Sequence, residues 1–177
     1  NRGTPESPLG NLSADGLIWA AKHFHNVDAD VAVYNSGGVR ANIAKGDVTL
    51  GDVYAAFPFD NALSILTITG KNLKRLMYKV PFDLYVNKEV RLVSNSDGCV
   101  SSITINGQSI DDNKTYTVAT IDYISDNDAY TTILGNPINR EDSVEMIRDY
   151  LGEYFKYLAD QNNGQITGAK DGRVIIQ

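Results

Sequence analysis

Residues 30–40 read DVAVYNSGGVR, a mostly apolar run that ends in an amide, a serine, two glycines and, one residue on, an arginine. A short apolar run closed by glycines reads as a buried strand, here Asp30 to Tyr34, feeding a loop. Two readings of the loop stand side by side. Gly37 and Gly38 suit a turn at positive φ, which glycine takes without steric cost. They equally suit a site where backbone N–H groups approach an anion or a sugar. Asn35 would then supply a donor and an acceptor, and Arg40 a fixed positive fork.

Outward from this strand, the spacing predicts a helix over Asn11 to Phe24, with Leu17, Ile18, Ala21 and Phe24 recurring near helical period. On the other side, TLGDVYAAF (49–57) places Asp52 three residues after Thr49, the start of a capped short helix. ALSILTITG (62–70) is a strand with a closing turn at Gly70. KNLKRLMYKV (71–80) sets Leu73, Leu76, Met77 and Val80 on one helical stripe. The middle is β-rich: KEVRLVSN (88–95), VSSITING (100–107), a short piece around QSI (108–110) and KTYTVATIDYI (114–124). Asn106-Gly107 is the hairpin signal between alternating runs. EDSVEMIRDYLGEYFKYL (141–158) predicts a helix with Val144, Ile147, Leu151, Tyr154 and Leu158 on one face, and GRVIIQ (172–177) a closing strand. No stretch reads as a linker or a repeat. The expectation is one α+β domain over residues 1–177, a mixed β-sheet with packed helices.

The chain has 177 residues, 42% hydrophobic and 21% charged, enough for a real core. Its net charge of −6 argues against a nucleic-acid binder, which would show a basic face, but leaves room for one small anion held by a few arginines. No apolar run approaches the ~18 residues of a membrane span. The opening NRGTPESPLGN is polar and carries no leader pattern, which is silent on localisation. The single cysteine, Cys99, rules out an internal disulfide and reads as a packed or half-exposed strand residue in NSDGCVSSITI (95–105).

Chemistry-bearing residues are sparse. His23 and His25 are two apart, so on a helix they point about 200° from one another and cannot share a metal. No HxxEH, CxxC or G-x-S-x-G pattern occurs. The chain by itself is therefore not expected to be a catalyst, and no cofactor is expected on it. The aromatics say more. Phe57 and Phe59 flank Pro58 in AAFPFD (55–60), and Tyr123 and Tyr130 frame the acidic IDYISDNDAY (121–130). Such loop aromatics either plug the core or sandwich a flat heterocycle, each stack being worth about 1–3 kcal/mol.

Taken in order, LGNLSADGL (9–17), NSGGVR (35–40), DVYAAFPFDNALSILTITGKNLKRLM (52–77) and VATIDYISDNDAY (118–130) resemble the C-terminal domain of the 5'-nucleotidase and UDP-sugar hydrolase family. The resemblance covers nearly the whole chain and is most specific from Asn35 to Met77. It implies a nucleotide- or nucleoside-recognising domain whose partner is a metallophosphatase domain, in the same chain or a separate one. That domain would hold two divalent metals and the catalytic residues and lie at the end of a hinge. It also implies a periplasmic, extracellular or cell-surface location. By the same resemblance Asn35 would bond the ribose, with Gly37 and Gly38 forming the loop. Arg40 would face the ribose and phosphate, Phe59 and Tyr123 would stack the base, and Asp128 would match the acidic residue of a GGDG loop. Arg2 is the candidate for a further phosphate-gripping arginine. The family's GGDGF or GGDGY is DNDAY here, without its glycines, and Tyr123 replaces the usual Phe. The competing expectation is a non-catalytic, stand-alone nucleotide-binding or interaction module of the same fold.

Overall fold

The structure is a computed structural model that describes residues 5–177; Arg2 lies outside them. Helix α1 (Pro8–His25) starts where the Ser7 hydroxyl accepts from the Gly10 N–H and ends at Asn26 in the left-handed region. Strand β1 (Val31–Asn35) follows, then a single 3₁₀ turn, Ser36–Gly38. Helix α2 (Leu50–Ala56) opens on the expected capping box, Thr49 and Asp52 bonding each other's backbone reciprocally. Strand β2 (Ala62–Thr69) leads into α3 (Gly70–Met77), whose Leu73, Leu76 and Met77 are buried as the stripe predicts; Val80, also buried, opens the short α4 (Val80–Asp83).

Strand β3 (Leu84–Val86) then begins the β-rich middle, with β4 (Val90–Ser94), β5 (Val100–Ile105), β6 (Gln108–Ser109) and β7 (Thr115–Ile121). The β5–β6 hairpin turns on Asn106 and Gly107 at φ 50° and 75°, as the dipeptide requires. Short helices α5 (Asp122–Asp126) and α6 (Asp128–Leu134), strand β8 (Asn139–Met146), helix α7 (Ile147–Gln161) and strand β9 (Val174–Ile176) complete the chain.

The expected mixed sheet is a five-stranded one, ordered β3-β1-β7-β2-β8. β1 and β7 run parallel, whereas β2 is antiparallel to β7 and to β8. A second sheet, β6-β5-β4-β9, pairs β9 parallel to β4. Leu63–Leu66 and Val118–Ile121 are buried without a break, so these central strands are covered on both faces. Helices α1 and α7 pack on each other, α1 lies on β1, β3 and β7, and α3 and α5 lie on β2 and β7.

Three expectations are corrected. Residues 139–146 form an edge strand, not the start of the last helix, and Val144 is 94% exposed. The strand predicted over 114–124 stops at Ile121, where α5 takes over. Cys99 is an exposed turn residue whose N–H donates to Asn95 Oδ1 at 2.8 Å.

A buried ionic cluster fastens the end of the chain to its beginning. Arg173, 3% exposed, bonds Asp15 at 2.9 Å, Asp171 at 2.7 Å and the Val86 carbonyl at 2.8 Å. Glu6 Oε1 accepts from Asn11 Nδ2 at 3.0 Å and from the Arg173 N–H at 3.3 Å. Burial holds the Asp15 carboxyl above the usual range despite the guanidinium beside it. Removing one member of such a buried set strands the others. Arg173→Ala should therefore lower the unfolding free energy by about 3–5 kcal/mol. Val144→Thr, which a helix reading would make costly, should change it by less than about 0.5 kcal/mol. Urea unfolding of both variants checks the pair.

Candidate functional site

Because β1 and β7 are parallel and β2 is antiparallel to them, the last residues of β1 and β7 and the first of β2 share one sheet edge. The NSGGVR turn, the FPFDN loop and α5 therefore meet there. This edge gathers Asn35, Arg40, Phe59 and Tyr123.

The turn after β1 is not the positive-φ turn that two glycines allow, since neither Gly37 nor Gly38 takes positive φ. Gly38 is needed for closeness instead. A Cβ there would lie 2.7 Å from the Tyr34 ring and 2.8 Å from Asn35 Oδ1. Asn35 ends β1, and its enclosed Oδ1 has no hydrogen-bond partner among the described residues; nor has the Oγ of buried Ser36. An unpaired buried polar atom costs about 1–3 kcal/mol, and Asn11 Oδ1 and Ser94 Oγ, away from this edge, share that state among the described residues.

Arg40 is fixed by its backbone, the N–H donating to the Ala56 carbonyl at 2.8 Å, while its side chain is exposed. The guanidinium carbon lies 5.8 Å from the centre of the Phe59 ring. The two aromatics around Pro58 have opposite fates. Phe57 is 2% exposed and meets Tyr34 edge-on at 5.9 Å, a core plug; Phe59 is 46% exposed. Arg148 holds the loop from both sides of Phe59, reaching the Pro58 carbonyl at 3.3 Å and Asp60 at 2.6 Å.

Tyr123 and Tyr130 sit on α5 and α6, not on a loop. Tyr123 is 44% exposed and faces Tyr130 edge-on at 6.2 Å. Tyr130 itself is buried, and its hydroxyl donates to Asp83 at 3.3 Å; burial pushes that phenol up. In DNDAY the Asn127 side chain caps α6 by accepting from the Ala129 N–H at 2.9 Å, and Asp128 stands exposed at the first helical position. The lost glycines are thus replaced by a helix start. A wide cleft of about 1200 Å³ runs under residues 41–49 between α1 and α7; Arg40 lines it, whereas Phe59 and Tyr123 do not.

Two residues that the motifs do not single out tie this edge together. The Asp122 carboxylate accepts from Asn61 Nδ2 at 2.7 Å and from the Ala62 N–H at 3.1 Å, and Arg148 braces the Phe59 loop. A usable signal for Asp122 is its place as the first residue past a strand of buried apolar residues. Arg148 carries no local signal.

The description "5'-nucleotidase, C-terminal domain" matches residues 1–135, and the chain belongs to that family. Over 74 residues it is 45% identical to a trifunctional nucleotide phosphoesterase of Bacillus subtilis, covering 42% of this chain and 5% of that protein. It is 33% identical over 128 residues to a 5'-nucleotidase of Vibrio vulnificus, covering 69% of this chain and 23% of that one. The crystal structure of a 5'-nucleotidase precursor from Thermus thermophilus superposes with a TM-score of 0.83 at 26% identity, over 97% of this chain and 35% of that chain. The chain thus spans a minor part of the length of these relatives. Both the resemblance in its motifs and the expected fold are borne out.

The opposite exposure of the two phenylalanines gives a direct check. Phe57→Ala should cost about 3–5 kcal/mol of stability by leaving a cavity. Phe59→Ala should cost less than about 0.5 kcal/mol, as a surface change does. Denaturant melts of the two variants measured side by side would show equal losses only if Phe59 were also a core residue.

Proposed function

We propose that this domain binds a nucleoside 5'-phosphate or a nucleotide derivative at the β1–β7–β2 edge, with the base between Phe59 and Tyr123. Asn35 would face the ribose, Arg40 the ribose and phosphate, and Asp128 would lie at the rim of the base. The phosphate ester would be cut by a separate metallophosphatase domain, in the same chain or another, carrying two divalent metals that generate the attacking hydroxide. In this reading the domain is the recognition half of a 5'-nucleotidase-type hydrolase, working in the periplasm or outside the cell. No helix among the described residues is long and apolar enough to cross a membrane.

The observation that carries the reading is the approach of Arg40 to the exposed Phe59 ring at 5.8 Å. A cation and an aromatic face at one edge match the phosphate and base of a single ligand. Half-exposed aromatics held by their flanking residues also lose little freedom on stacking. The names of the relatives, nucleotide phosphoesterase and 5'-nucleotidase, agree with that ligand.

Titration calorimetry tests it. Phe59→Ala and Tyr123→Ala should each weaken adenosine binding by about 1–3 kcal/mol, and Tyr123→Phe should keep it, because only the hydroxyl is lost. Arg40→Ala should leave the melting temperature unchanged and weaken AMP more than adenosine, since the guanidinium meets the charged end. Folded alanine variants that bind both ligands as the parent does would defeat the proposal. The isolated chain should release no phosphate from AMP with Mn²⁺; a release that survives repurification would place catalysis on this chain after all.

A further inference from the structure

We infer that Asp122 is a positioning residue that sets the separation of Phe59 and Tyr123, and with it the width of the base slot; this rests on the nucleotide-binding reading above. The last residue pair of the β2–β7 ladder is Leu63 opposite Ile121. One step further along the same register, Ala62 would face Asp122. There the side chain of Asp122 takes the place of a backbone partner, its Oδ2 accepting the Ala62 N–H at 3.1 Å. Its other oxygen accepts from Asn61 Nδ2 and from the Tyr123 N–H, each at 2.7 Å. Phe59 lies two residues before Asn61, and Tyr123 is the residue after Asp122. One carboxylate therefore joins the roots of both aromatic walls, through short bonds of the kind that an ionised acceptor strengthens.

The two walls differ in their other supports. The Phe59 side is also fixed by the Ile147 N–H donating to the Asn61 carbonyl at 2.8 Å and by Arg148 on Asp60 at 2.6 Å. The Tyr123 side is held at the far end of α5, where Arg140 bonds Asp126, and its ring has Tyr130 edge-on beside it; its near end is joined to the Phe59 loop through Asp122. Loosening Asp122 thus frees the near end of one wall against a braced one. A stack tolerates little of that, because its energy depends on ring contact.

A cap that merely ends β7 would act through stability and would weaken every ligand alike. The experiment separates the two by using adenosine and ribose 5-phosphate as probes on the folded chain. In Asp122→Asn only one of the two side-chain atoms still accepts, so either the Ala62 or the Tyr123 N–H faces an NH2 group, and the strut weakens while the shape survives. Adenosine should bind about ten-fold more weakly, in the range of couplings within one hydrogen-bonded network, with ribose 5-phosphate nearly unchanged. Asn61→Ala, which leaves Asp122 on Ala62 and Tyr123 and removes the cross-link alone, carries the same expectation and keeps the test open should Asp122→Asn fail to fold. The inference is overturned by unchanged adenosine binding or by equal loss of both probes. A parent chain that binds no adenosine, or whose Phe59→Ala variant binds it equally well, defeats the nucleotide reading itself and this inference with it.

Discussion

The constraint on which the rest depends is the placement of β7 between a parallel neighbour and an antiparallel one. Its pairing with β1 runs Val31 to Val118 and Ala32 to Ala119, and its pairing with β2 runs without a break from Leu63–Ile121 to Thr69–Thr115. A slip of one residue in either ladder would exchange the two covered faces of these strands and set every side chain against the wrong layer. Given that register, the chain leaves β1, enters β2 and leaves β7 at one edge, and three sequence-distant loops become neighbours. Residues 35, 59 and 123 converge there because of strand direction alone.

Around that edge the structure separates buried supports from exposed side chains. Phe57, Tyr34 and Tyr130 are buried and give it a packed floor, while Phe59, Tyr123 and Arg40 stand on top and stay exposed. The supports are polar tethers of long sequence reach: Arg148 to Pro58 and Asp60, Asp122 to Asn61 and Ala62, and Arg140 on β8 to Asp126 at the end of α5. The last of these holds the Asp126 carboxyl below the usual range. Short segments, each pinned by a charged residue from another element, confine Phe59 and Tyr123 without burying them.

Much of this was legible in the sequence, and the misses have physical causes. Covered strands such as Ala62–Thr69 and caps such as Thr49–Asp52 are local patterns, so they read correctly. β8 did not, because it is an edge strand. Its charged Arg140, Glu141 and Asp142 suit an edge, where they discourage pairing with another chain, and they erase the alternation that marks a strand. The chance three-residue spacing of Val144 and Ile147 then mimicked a helix. β7 ended early because the side chain of Asp122 captured the next N–H of β2, an event set by a residue 60 positions away. At the site, strand direction brings the ends of β1 and β7 and the start of β2 to one side of the sheet, and with them Asn35, Tyr123 and the Phe59 loop. Gly38 of NSGGVR proved to serve close packing against Tyr34, which no local signal distinguishes from a turn.

The cluster around Arg173 bears on how such a domain can be built into larger chains. Glu6 accepts hydrogen bonds from the backbone of both Asp171 and Arg173, so the path of the chain into the fold and its path out of it meet at one point. A unit whose entry and exit coincide behaves as a cassette: it can be spliced into a host loop as readily as appended to an end, because neither arrangement stretches its frame.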